Sequence, residues 1–227
     1  MQIHHLIYGF TSAFLALFPP VNPISDALIV NRYLTGLSER ERKLVVWRIT
    51  RNCMLVGIIS LILGHLVLQL FNLAIPVIQL AGGILICKAG FEGLQDSEAE
   101  SEHKKSGNRV ADGGTFAKIE NKIFYPLSFP ICLGPGTISV IFTLMASLPS
   151  KRDNMVELAL SYGVIILAVI ILCALIYICC LQGQKLMERL GESGGVVITK
   201  LVSFLTFCVG IQIAVTGISK IFHLNIL

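Results

Sequence analysis

Charge is what this sequence has little of. Asp, Glu, Lys and Arg supply 14% of its 227 residues, against about 25% in a soluble domain. The charges present are bunched between apolar runs, so the chain is built for lipid as its solvent. No basic stripe interleaved with aromatics is found, which excludes a nucleic-acid partner and leaves the net charge of +4 as a signal of membrane topology. No HExxH, P-loop or GxSxG occurs, and no spaced His/Asp/Glu cluster offers catalytic groups, so the chain is not expected to be an enzyme. The seven cysteines (53, 87, 132, 173, 179, 180 and 208) lack CxxC spacing and lie inside apolar segments. They read as free thiols packed among helices, with no metal and no cofactor implied. The first apolar run is preceded by neither Lys nor Arg and followed by no small-residue cleavage site, so it is expected to be a retained span.

What the sequence has in abundance is apolar length. Hydrophobic residues make up 54% of the chain, and the mean hydropathy is +0.77. Six stretches (6–35, 44–69, 74–94, 122–148, 155–181 and 197–222) reach the roughly 20 residues a helix needs to cross the hydrocarbon core. The connections alternate in charge. Fifteen of the 18 Lys and Arg residues fall on one side of a six-span arrangement, and only Lys151, Arg152 and Lys220 on the other. The positive-inside rule makes the first side cytoplasmic and puts both termini outside. Residues 95–121, rich in Glu, Ser, Lys and Gly, cannot form a core and are expected to be a flexible cytoplasmic linker. That linker divides the chain into two three-span repeats, 1–94 and 122–227.

The repeats match at their first spans. LFPPVNPISDALIV begins at Leu17 and SFPICLGPGTISVIF at Ser128, pairing Pro19 with Pro130, Asn22 with Gly134 and Pro23 with Pro135. Three spans per half make the second copy enter from the opposite face. Proline removes an N–H and clashes with the preceding turn. Mid-span prolines therefore free the carbonyls of Leu15, Ala16 and Pro19 in span one, and of Pro126 and Ile131 in span four. Such backbone survives at membrane depth where protein or a polar cavity receives it. The second half-helices are expected to begin near Ser25 and Thr137, with unbonded N–H groups and the positive dipole end exposed. A zwitterion suits this arrangement, its carboxylate at the half-helix starts and its ammonium near the freed carbonyls. One such break only shapes a bundle; two at equivalent places in an inverted repeat point to a midplane site. The expected fold is thus all-α, with six transmembrane helices in two inverted repeats whose first and fourth spans are broken.

Other polar residues are weighed against packing. Asp26, in the first turn of a half-helix, is expected to stabilise that helix start, with a coupling-ion or proton site as the alternative. Gly134 and Gly136 flank Pro135, and at least one is expected to hold backbone that a side chain would hinder. In the last span Ser203, Gly210, Ala214 and Gly217 form a small packing face. Gln212, Thr216 and Ser219 lie nearly opposite and should be shielded from lipid, lining either a cavity or a subunit contact. Gln79, Gly83, Cys87 and Gly90 share one face of span three, read as packing.

LFPPVNPIS, AGGILI at 81–86, PLSFPICLGPGTIS at 126–139 and VGIQIAVTGI at 209–218 together resemble the MarC family. The resemblance spans nearly the whole chain except 95–121. It implies a six-span protein of the bacterial or archaeal inner membrane, and relatedness to SnatA-type transporters of small neutral amino acids. It places the family's broken-helix motifs on Asn22, Pro23, Gly134, Pro135 and Gly136 and its late-span glutamine on Gln212. Ser25 and Asp26 stand where the family often shows Gly-Asn, and Gln79 where a basic residue is expected. The function so implied is alternating-access transport of small neutral amino acids or similar metabolites, in either direction. The site comprises Pro19, Asn22, Pro23, Ser25, Asp26, Pro130, Gly134, Pro135, Gly136, Thr137 and Gln212. Partners are the lipid bilayer and a small-molecule substrate, and a homo-oligomer is compatible with both. A non-transporting scaffold or assembly protein is the alternative.

Overall fold

The computed structural model describes residues 2–95, 115–146, 148 and 155–222, and among these all the regular structure is helical. The elements are α1 (Gln2–Val21), α2 (Pro23–Tyr33), α3 (Glu39–Leu70), α4 (Ile75–Gln95), α5 (Thr115–Glu120), α6 (Ile123–Cys132), α7 (Pro135–Ala146) and α8 (Met155–Phe222). Five helical stretches are long and apolar enough to cross a membrane: Leu6–Tyr33, Glu39–Gly64, Ile75–Gln95, Val156–Gly183 and Gly194–Phe222. The sixth span is the pair α6 and α7, bent by 57°. The chain is therefore a polytopic all-α membrane protein.

Two boundaries differ from the sequence reading. Span two begins at Glu39, earlier than expected, because Ser38 and Glu41 form a capping box that holds the first turn closed. The end of the expected linker is helical: α5 is fixed by buried Ile119 and by the Arg48–Glu120 ion pair at 2.5 Å. Residues 96–114 of that linker lie outside the described residues, as do the last residues of the chain.

Contacts along the helices give each span its direction. Arg48 meets Glu120, Asn52 meets Ser128, and Gly57 lies against Leu133, so α3 runs parallel to the fourth span. Gly82 abuts Ser139 while Gly136 abuts Ile86, so α4 runs antiparallel to α7. Arg42 donates to the Cys180 carbonyl and Gly57 lies against Val169, making span five antiparallel to α3. Gly9 neighbours Val164 and Gly183 neighbours Asn31, making span five parallel to span one. Gly83 packs on Gly210 and Ala214, and Gly93 on Ser203, making span six antiparallel to α4. All six spans alternate, and α8, helical throughout, reverses direction between Gly183 and Gly194.

The close packing rests on glycine. A Cβ on Gly83, Gly90 or Gly210 would lie 2.5 Å from backbone nitrogen of the facing helix. Helices approach this closely in lipid because dispersion, more than the hydrophobic effect, holds them together. Spans three and six are thereby locked as one pair. The core sits between the other spans, around Leu17, Val30, Val46, Ile49, Leu127, Ile141 and Ile176.

Candidate functional site

Both breaks are built to the same local plan. In span one, Asn22 is the cap of α2 and Pro23 its first residue. In span four, Gly134 precedes α7 and Pro135 is its first residue. The Asn22 carbonyl accepts from Asp26 N at 3.1 Å and the Gly134 carbonyl from Ile138 N at 3.2 Å, the same step of four residues in each. The half-helices thus start two residues before Ser25 and Thr137, earlier than the sequence reading put them. Proline suits a first helical position because its missing N–H would have no intrahelical partner there anyway.

The residue that needs unusual backbone is not a glycine. Asn22 lies in the left-handed region (φ 43°, ψ 64°). Its side chain makes that conformation tolerable: Oδ1 accepts from Ser25 N at 3.3 Å, and Nδ2 donates to Ser25 Oγ at 2.8 Å. Gly134 and Gly136 lie outside that region, since at the second break the chain turns through extended residues, Phe129 (φ −132°, ψ 126°) and Leu133 (φ −138°, ψ 88°). They are glycines for space. A Cβ on Gly134 would lie 2.9 Å from the Pro130 carbonyl oxygen, and one on Gly136 would lie 2.8 Å from Ile86 Cγ1.

One freed carbonyl at each break has a partner. The Pro19 carbonyl, which cannot bond Pro23, lies 3.0 Å from Thr206 Oγ1, a hydroxyl that also sits 2.8 Å from the Val202 carbonyl and shares its proton between them. At the second break Leu127 N bonds Lys122 O, five residues back, and the Ile123 carbonyl this frees accepts from Ser128 Oγ at 2.6 Å. Ser128 is fully buried, and Asn52 and Cys53 of α3 hold it from the other side. Thr206 and Ser128 were missed as site residues from sequence.

Asp26 is not the cap of its helix; Asn22 does that work. Its carboxyl, 4% exposed, turns inward beside the thiols of Cys53 in α3 and Cys132 at the end of α6, and Oδ2 has no hydrogen-bond partner. The acid thereby touches the other break. Thr137, 2% exposed and in the first turn of α7, also carries an unpartnered hydroxyl. It lines a cavity of about 10 Å³ with Leu17 and Val21 of α1, Leu133, and Val169 and Cys173 of span five. One water-sized body fills such a space. Gln79, treated from sequence as packing, is 3% exposed with Oε1 unpartnered, and stands beside Gly217.

The structure therefore joins the two breaks at two places, Asp26 beside Cys132 and Thr137 beside Leu17 and Val21, while Pro19 lies against Thr206, Asn22 against Ser25, Gly134 against Pro130 and Gly136 against Ile86. Pro130 and Pro135 belong to the second break but are exposed. Gln212 stands apart. It is exposed on the outer side of span six, away from both breaks. Among the described residues no group of His, Cys, Asp and Glu is arranged to hold a metal ion.

Comparison with known sequences agrees with this architecture. The profile of MarC family integral membrane proteins matches residues 7–222. The chain is 27% identical over 213 residues to UPF0056 inner membrane protein MarC of Salmonella paratyphi A, covering 91% of this chain and 92% of that protein. It is 27% identical over 210 residues to the protein of the same name in Escherichia coli O1:K1 / APEC, with 91% and 92% covered. It is 21% identical over 209 residues to UPF0056 membrane protein MJ1677 of Methanocaldococcus jannaschii, with 92% and 95% covered. No solved structure matches the chain.

Proposed function

This chain belongs to the MarC family of integral membrane proteins, and on that premise we propose that it is a secondary transporter of small neutral amino acids or similar metabolites. The bacterial relatives are named as inner membrane proteins, and the chain is a multi-pass protein of that membrane. The observation that carries the reading is the pair of breaks. Two half-helices on oppositely directed spans start with the same cap-then-proline step, and the breaks touch where Asp26 lies beside Cys132 and where Thr137 lies beside Leu17 and Val21.

Each group has a use in binding a zwitterion. First-turn N–H groups of α7, at Gly136 and Thr137, have no carbonyl one turn earlier in their own helix and suit a carboxylate. The Asp26 carboxyl, one oxygen unpartnered, suits an ammonium or the proton that couples transport to a gradient. The cavity beside Thr137 admits one water-sized body and would have to widen to take an amino acid. Alternating access then requires the breaks to separate towards one face and then the other, as inverted repeats permit.

Two observations favour the scaffold reading. The Pro19 carbonyl is already bonded by Thr206, and the hollow left by Gly136 is filled by Ile86. Flux of labelled glycine, alanine, serine and threonine in proteoliposomes separates the two. Saturable flux of one of them supports transport, and flux no faster than in empty vesicles across the panel supports a scaffold.

A further inference from the structure

Span six carries a second organised face, pointing away from the bundle. Gly210, Ala214 and Gly217 face α4, and Thr206 faces α1. At about 100° per residue, the opposite side holds Leu201, Leu205, Cys208, Gln212, Val215, Ser219 and Phe222. These positions step by four and three alternately, the spacing of a coiled-coil seam. Leu201 is 60% exposed, Leu205 48% and Phe222 67%, and Cys208 and Gln212 are exposed between them.

Gln212 is the anomaly on this seam. It lies one residue pair from Gly210 and Ala214, which pack on Gly83 near the middle of α4, so its depth is that of the hydrocarbon core. Its amide makes no hydrogen bond to the described residues. A primary amide left in lipid is costly. Lipid tails cannot satisfy it.

We propose that this seam is a homodimer interface, in which span six of one chain packs parallel to span six of a second copy and the two Gln212 amides bond each other. A second copy fits better than any other occupant for two reasons. An amide is at once donor and acceptor, so it complements its own image across a two-fold axis. Two copies in one membrane also share orientation and depth, so each seam residue meets itself without adjustment. A single polar residue within such a seam fixes register and oligomer order. Its apolar neighbours supply the packing.

Cys208 makes the test direct, because it is on the seam while the other six cysteines are buried or only partly exposed. The full chain, reconstituted in lipid at low protein density, is treated with a short bis-maleimide. Covalent dimers are expected, and Cys208→Ser is expected to abolish them. In that background, Leu205→Cys should restore the dimer. Leu55→Cys, an exposed position on α3, should not. Energy transfer between labelled chains should show Gln212→Leu weakening association by on the order of 3- to 30-fold, with Gln212→Asn retaining more. Since leucine is the more lipophilic residue, insertion and thermal stability of the monomer should not suffer. Cross-linking through Leu55→Cys as readily as through Cys208 would overturn the proposal. So would association unchanged by Gln212→Leu.

Discussion

Replacing Asn22 tests how the first break is held, and the structure sets the size of the effect. Asn22 contributes two things: a left-handed backbone conformation, and an amide that bonds both the N–H and the hydroxyl of Ser25. Asn22→Ala removes the cap, worth about 1 kcal/mol, and places a residue without a local polar side chain in left-handed space, costing roughly another 1 kcal/mol. Asn22→Gly also loses the amide, but glycine adopts φ 43° freely and substitutes for a cap at a cost of only a few tenths of a kcal/mol. Alanine should therefore cost about 2 kcal/mol and glycine well under half of that. For a chain of this size that is a fall in Tm of about 4–8 °C for alanine. Thermal unfolding in detergent can be followed with a thiol-reactive dye, because Cys53, Cys132 and Cys180 are buried and react only when the bundle opens. An alanine variant as stable as the parent, or a glycine variant no better than alanine, would refute the assignment of strain and capping to Asn22.

Four further outcomes are expected. Thr206→Val leaves the part-buried Pro19 carbonyl without its donor and should cost about 1 kcal/mol, while Thr206→Ser should restore most of the loss in the same unfolding assay. Gly136→Val drives a side chain into Ile86 and should destabilise by about 1–3 kcal/mol; Ile86→Ala in the same chain should recover at least half, and absence of coupling between the two would mean that α4 and α7 do not meet there. Asp26→Asn keeps the shape and removes the titratable carboxyl, and since Asn22 rather than Asp26 caps the helix, proteoliposome uptake should fall by about 10- to 100-fold at normal insertion; unchanged uptake would leave Asp26 a packing residue. A cysteine placed in 96–114 should be labelled only from the cytoplasm and one at Asn225 only from outside, and labelling of both from one side would sink the six-span topology.

Span number and position were legible because a span is a composition problem: about 20 apolar residues either occur or do not. The breaks were legible too, because Pro23 and Pro135 cannot donate and each is preceded by a residue suited to a helix start. Where the reading failed, the deciding group lay far off in sequence. Nothing local to Gly136 announces Ile86, and nothing near Pro19 announces Thr206. Asp26 was placed by its sequence neighbours at the head of α2, where an acid is favourable. Its actual setting follows from which way one helix face turns when α3 and α6 close over it.

The sequence by itself determined the solvent, the six spans, their alternation and the places where helix must stop, since these follow from hydropathy, charge and proline's missing N–H. Tertiary structure alone decided which freed carbonyl meets which hydroxyl, which glycine admits a neighbour, and that Gln212 faces outwards while Gln79 is enclosed. Both glutamines sit in apolar helices with similar neighbours, and a helix exposes every side of itself until something packs against it. Packing chooses the side, and it depends on the shapes of all six spans together.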